Sequence, residues 1–340
     1  MPTQATALRL SGDFSIDALT FDQVTIPEPG ANEVLVRIKA VSLNYRDILV
    51  TLGHYDPNVH KPRVLTSDGA GEVVAVGSSV TAFKPGDRVV AGFFPDWIDG
   101  PITHPGVSTA LGAQTDGTLI TSRLFSEHSL IRIPDALTYE EAATLPCAGV
   151  TAWNALVSIG NIGPQDTVLL LGTGGVSILA LQIAKLRGAR VIITSSSDEK
   201  LQRAKSLGAD ETINYKTYPA WDKEVRQLTQ KAGATHVVET GGSGTLPLSI
   251  RSIAIGGQVS IIGVLSGIEQ PINILPILMH SLRIQGIYVG SVQMLREVAN
   301  SFAAAGIHPV IDQAFPFEQS KEALTALQSA QHFGKIVITL

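Results

Sequence analysis

The stretch "LLLGTGGVSILALQIAK", residues 169–185, decides the fold. Three leucines lead into glycines at 172 and 174, and an apolar helical run follows. Gly172, Gly174 and Ser177 stand at the three positions of a G-x-G-x-x-G/A pattern. The first glycine makes a tight turn. The second lets a pyrophosphate approach the backbone at a helix N-terminus, and the third must be small so the helix can pack on the strand. Serine at 177 is a mild departure that still fits. A glycine pattern alone is weak, and a plain Gly-rich turn is the competing reading. The strand before it, the helix ending at Gly188 and a second strand "RVIITS" (190–195) favour a dinucleotide unit. Its expected contacts are Gly172, Gly174, Gly175 and Val176.

Working outward, strands and helices alternate. "SDEKLQRAKSLG" reads as a helix, and "ETINY", "THVVETG", "QVSIIGV" and "RIQGIYVG" continue the strand series. Near-continuous apolar strands alternating with helices imply a parallel sheet covered on both faces. The helix entry "PDALTYEEAATLP" carries Thr138 as N-cap, with Glu141 three residues on. Before it the chain is β-rich. In "EVLVRIKAVSLN", Val34, Val36, Ile38 and Ala40 alternate with Glu33, Leu35, Arg37 and Lys39, a period of two. Lys84-Pro85-Gly86-Asp87 is a turn between short strands. Residues 93–120 form a long Pro-, Gly- and Asp-rich loop, and Phe93, Phe94 and Trp97 in it suggest a pocket wall. After the helix "VQMLREVANSFAAAG", the tail supplies two strands and a helix that return to the first domain. The expected fold is α/β: a doubly wound Rossmann sheet in 135–304, plus a β-rich domain from 1–134 and 305–340.

Bulk properties exclude several classes. The 340 residues suffice for two cores, and 16% charged residues with 44% hydrophobic ones suit a packed domain rather than a disordered chain. A net charge of −5 argues against nucleic-acid or anionic-membrane partners. One cysteine makes no internal disulfide. No signal peptide and no membrane-length apolar run is visible, so a soluble cytoplasmic protein is expected.

The end of the second strand bears on the cofactor. An NAD site places an acid there to hold the ribose 2′-hydroxyl. This chain has Thr194-Ser195-Ser196-Ser197, with Lys200 close by. Small hydroxyls such as that of Ser196, with Lys200 and Tyr215, leave room for a 2′-phosphate, so NADPH is expected over NADH. Asp198 and Glu199 are a counter-signal, read as helix N-terminal acids facing solvent.

On "SLNYRDIL", "SDGAGEVVAVG", "FKPGDRV", "AATLPCAGVTAWNAL", "GTGGVSILALQIAK", "SSSDEKLQRAKSLGAD" and "HFGKIVI", the chain resembles the medium-chain dehydrogenase/reductase superfamily over nearly its whole length. Within it the chain is most similar to the zinc-independent quinone oxidoreductase and enoyl reductase branch, whose relatives are often called NAD(P)-dependent alcohol dehydrogenases. The resemblance implies that the β-rich domain is GroES-like and catalytic. Zinc enzymes of the superfamily hold their catalytic metal at positions matching Asn44, Ser67 and Cys147. Asn and Ser are poor zinc ligands, so no zinc is expected and Cys147 reads as a buried thiol. His54 and His60 share a loop without a third ligand at a usual spacing.

The resemblance further implies a quinone, an α,β-unsaturated carbonyl or another carbonyl as small-molecule substrate. Tyr45 is the expected proton donor, or else lines the pocket. Asn44 and Thr151 are expected at the cofactor. Asp47 is expected to pair with Lys335, which would then face the pyrophosphate. By position at strand ends, Gly241, Gly263, Val264, Val289 and Ser291 should run along the cofactor. Relatives dimerise edge to edge, so "RIQGIYVGS" is expected to form a homodimer. The alternatives are a metal-free alcohol/carbonyl dehydrogenase and an NADPH-binding zeta-crystallin-like protein with little turnover.

Overall fold

A computed structural model describes residues 1–340, which divide into two compact units, Met1–Val150 with Val289–Leu340, and Thr151–Tyr288. The second unit is a six-stranded parallel sheet. Its strand order is Glu211–Asn214, Arg190–Ser195, Thr167–Leu170, Ala234–Glu239, Ile253–Ile261, Arg283–Gly286. The chain starts in the middle, at Thr167–Leu170, and winds first one way and then the other. The order therefore reverses between Thr167–Leu170 and Ala234–Glu239, the switch point where such sheets bind ligands beyond their strand C-termini.

The apolar strands are buried on both faces: Val168, Leu169, Leu170, Val191, Ile192, Ile193, Val237 and Val238 have no exposed surface. That removal of side chains from water is the main stabilising term. The helix Gly175–Leu186 is buried from Ser177 to Ala184, as its lack of a polar face requires. Ser197 caps the helix Asp198–Ser206, accepting from the Lys200 N–H at 3.3 Å. Arg283–Gly286 is an edge strand with no buried residue.

The first unit is built on a sheet ordered Ile311–Pro316, Lys335–Thr339, Glu33–Ser42, Asp68–Val76, Arg88–Ala91, Leu130–Arg132, with Ser122–Ser126 also paired to Glu33–Ser42. A small sheet of Leu19–Ile26, Thr3–Leu10 and Arg63–Val64 accompanies it. The tail does return: Val337 and Ile338 pair with Ser42 and Val41. The capping box forms, with Thr138 N–H on Glu141 at 2.8 Å and Glu141 N–H on Thr138 at 3.2 Å. Asp87 closes its turn by accepting from the Lys84 N–H at 2.8 Å.

Two features differ from the sequence expectation. Residues 135–150 and 289–304 sit with the first unit, not in the 135–304 block. The Cys147 N–H donates to Asp68, and the Val292 and Gln293 N–H groups donate to Trp97 and Ile98, which holds both segments there. In the 93–120 loop, Phe93, Phe94 and Trp97 are buried and pack as core rather than lining an open wall. No helix is long and apolar enough to cross a membrane.

Candidate active site

The glycine turn is shaped for a dinucleotide. Gly172 takes φ +74°, the left-handed region that costs a side-chain-bearing residue. A Cβ on Gly172 or Gly174 would meet nothing within 4 Å, so space lies open above the turn. No side chain caps the helix at Gly174, which leaves its first N–H groups for an anion. Gly175 and Val176 form that first turn. The residues therefore fit a pyrophosphate.

Hydroxyls lock the turn from behind. Ser177 donates to the Leu171 carbonyl at 2.7 Å, and Thr240 donates to the same oxygen at 2.9 Å. Gly172 N–H reaches Thr194 Oγ1 at 3.3 Å. Serine at the third fingerprint position is thus a tie as well as a small residue. Thr194 stood in the hydroxyl run read for the 2′-phosphate, not as a tie to the turn, and Thr240 was not singled out in the sequence. A hydroxyl at the C-terminal end of each strand flanking the fingerprint was the signal.

At the end of Arg190–Ser195, Ser196 and Lys200 are half-buried and Tyr215 is exposed. Asp198 and Glu199 are exposed in the first turn of their helix, as expected, and Asn214 Nδ2 donates to Asp198 at 2.7 Å. Gly241 N–H donates to Glu239 at 2.7 Å, and Gly263 N–H donates to the Glu239 carbonyl at 3.2 Å. Val264 is exposed. Thr151 is buried and opens the second unit. Val289 and Ser291 belong to the first unit. Val289 has φ +54°, unusual for a β-branched residue, and Ser291 caps the helix Val292–Ala305 through the Met294 N–H.

The first unit holds a polar cluster where the chain carries Asn44, Ser67 and Cys147; Asn44 and Ser67 are buried, and Cys147 is half-buried rather than fully buried. Lys335 is 4% exposed, and its ammonium donates to Leu43 O at 2.5 Å and Asn44 Oδ1 at 2.6 Å. It does not pair directly with Asp47, as the sequence suggested, nor does it reach solvent. Asp47 instead accepts from the Asn44 N–H at 2.8 Å and lies 3.8 Å from Arg46. The Arg46 guanidinium stacks 4.2 Å over Phe93 and donates to Leu111 O.

Burial pushes the Asp47 carboxyl up to about 6, against the pull of Arg46, the Asn44 N–H and Lys335. Asp68 accepts from Ser67 Oγ at 2.6 Å and from the Cys147 N–H at 3.1 Å. Burial also raises Asp68, while Lys335 and its hydrogen bonds oppose the rise. Asn44 Nδ2 makes no hydrogen bond of normal geometry, yet it lies close enough to Asp68 to favour the charged form. Burial, with Asp68 adding to it, holds the Cys147 thiol far above its usual range, so it is no ready nucleophile. Asp68 was missed in the sequence; an acid opening an apolar strand was its trace.

These residues do not fit a zinc ion. Two of the three positions carry Asn and Ser. The Asn oxygen already faces an ammonium, and the Ser hydroxyl is spent on Asp68, which leaves the Cys147 thiol as the one zinc donor of the three positions. No three His, Cys, Asp or Glu side chains elsewhere in the chain stand together as a metal set. Tyr45, the first residue of the helix Tyr45–Thr51, is 45% exposed and free to meet a substrate.

A doubly wound sheet with an open fingerprint turn, joined in one chain to a β-rich unit, defines an NAD(P)-dependent oxidoreductase acting on small molecules. Two family models match: an alcohol dehydrogenase GroES-like domain over residues 30–135 and a zinc-binding dehydrogenase domain over 175–304. A zinc-type alcohol dehydrogenase-like protein of Schizosaccharomyces pombe is 44% identical over 95% of this chain and 96% of its own. A solved NAD-dependent alcohol dehydrogenase is 37% identical, with a TM-score of 0.91 over 98% of this chain and 99% of that one. A quinone oxidoreductase of Pseudomonas syringae is 29% identical, with a TM-score of 0.83 over 99% and 100%. The chain belongs to the medium-chain dehydrogenase/reductase superfamily.

Proposed function

We propose that the chain interconverts alcohols and carbonyl compounds with NADPH, and that it does so without zinc at Asn44, Ser67 and Cys147. The observation that supports the metal-free reading is the cluster in which the Lys335 ammonium bonds Asn44 Oδ1 and lies beside the two carboxyls. The names of the relatives favour alcohol chemistry over quinone chemistry. When bound, the nicotinamide cofactor supplies or takes up a hydride. The exposed Tyr45 phenol then donates a hydrogen bond and a proton to the oxygen on which charge develops. Ser196, Lys200 and Tyr215 receive the 2′-phosphate, and Asp198 has Asn214 as its hydrogen-bond partner. The chain works in the cytoplasm as a homodimer.

A second reading is reduction of quinones or enones. The same poverty of metal donors favours it, because a conjugated carbonyl needs less polarisation than a simple ketone. A third reading, cofactor binding with little turnover, gains no separate support.

The test is NADPH and NADH oxidation by chelator-treated protein against saturated aldehydes and ketones, enones and quinones, with and without added zinc. Metal-free turnover of saturated carbonyls, lowered about 100-fold in kcat by Tyr45→Phe, is the expected result. Turnover only with zinc would sink the metal-free reading. Turnover confined to enones or quinones would install the second.

A further inference from the structure

We infer that Glu239 is a positioning residue for the nicotinamide half of the cofactor, and that its carboxylate makes the site prefer the oxidised, positively charged ring to the reduced, neutral one. The inference rests on the cofactor reading above. Glu239 ends the strand Ala234–Glu239, the first strand beyond the switch point. The fingerprint turn and the 2′-phosphate candidates belong to the strands on the other side. The second half of the sheet, which Glu239 opens, is therefore left for the nicotinamide nucleoside.

Glu239 is 0% exposed. Oε1 accepts from Gly241 N–H at 2.7 Å, Gly242 N–H at 3.1 Å and Thr245 Oγ1 at 2.6 Å, and Oε2 accepts from Ser249 Oγ. Its main-chain oxygen accepts from Ile262 and Gly263. One residue thus fixes the strand-end turns on two neighbouring strands. Every donor to the carboxylate is a neutral N–H or O–H, and no basic side chain pairs with it. Those donors offset the carboxylate's charge only in part, and no cationic side chain cancels it. Nicotinamide is the part of a dinucleotide whose charge changes by one unit between its redox forms, so a fixed charge below its half of the sheet acts on one form and not the other.

Glu239→Gln separates charge from shape. The glutamine oxygen keeps Gly241, Gly242 and Thr245, and the Ser249 hydroxyl turns round to accept from the amide. Dissociation constants for NADP+ and NADPH are measured by quenching of tryptophan fluorescence in wild type, Glu239→Gln and Glu239→Asp, with melting temperatures alongside. The ratio Kd(NADP+)/Kd(NADPH) is expected to rise about fivefold or more in Glu239→Gln. It should stay near wild type in Glu239→Asp, which keeps the charge while weakening both affinities. Loss of a mere loop anchor would weaken both forms together and leave the ratio where it was; that result overturns the inference. Should Glu239→Gln fail to fold, Ser249→Ala carries the test. It strips a donor from the carboxylate, so the ratio should fall, and an unchanged or raised ratio overturns the inference. Failure of the wild type to bind either form overturns the cofactor reading itself, and this inference with it.

Discussion

Lys335 shows how one residue ties local chemistry to stability. Its ammonium is the donor for Leu43 O and Asn44 Oδ1 and the nearby cation for Asp68 and Asp47. Lys335→Met leaves these buried groups uncompensated. Breaking a buried charge cluster from one side costs about 3 kcal/mol or more, so a large fall in urea midpoint is expected, with Lys335→Arg falling less. A midpoint within error of wild type would mean that water replaces the ammonium. Asp47 makes the opposite kind of contribution. Its folded pKa of about 6 lies above the usual 3.8, so the folded state binds its proton first. Stability from this group is present below about 4 and is lost as pH rises to about 6. Asp47→Asn removes that term. The variant should gain on the wild type by about 2 kcal/mol between pH 4 and pH 8, read from paired urea melts. A constant difference across that range would reject the raised carboxyl.

At the scale of elements, the sequence was most legible where a repeating physical demand ran through consecutive residues. The apolar strands 167–170, 190–195 and 234–239 and the glycine turn each carry a local signature, and the sheet follows from their alternation. Partners brought together across the fold were not legible. Lys335 and Asn44 are 291 residues apart, and no local pattern says whether that lysine faces a pyrophosphate or an asparagine. The same limit hid Asp68 under Cys147 and Glu239 under Ser249. It also hid the segment boundaries, which depend on bonds such as Val292 N–H to Trp97 O. The glycine turn yields the cleanest test at this scale. Because a Cβ at 174 meets only open space, Gly174→Val should fold with a melting temperature within a few degrees of wild type. The valine would occupy the space left for the pyrophosphate, so affinity for both NADPH and NADP+ should fall at least tenfold. Undiminished affinity would place the phosphates elsewhere.

At the scale of the whole molecule, the second unit leaves an unusual amount of apolar surface in water. Ile255, Ile268, Ile274, Leu275, Leu278 and Met279 are all exposed, Leu278 to 75%. The edge strand Arg283–Gly286 has a neighbour on one side only. Monomers seldom tolerate both an apolar patch and a bare strand edge, because each recruits another chain. A two-fold pairing of edge strands satisfies both at once. Such a pairing would continue the sheet through the axis and would bring the apolar segments of the two copies together. Sedimentation equilibrium at micromolar concentration should therefore give twice the 35.9 kDa chain mass. Ile274→Lys with Leu278→Lys places four like charges across the pair and should shift the species to monomer while leaving the far-UV spectrum unchanged. A wild-type monomer that stays soluble at high concentration would reject the pairing and leave the patch for another partner.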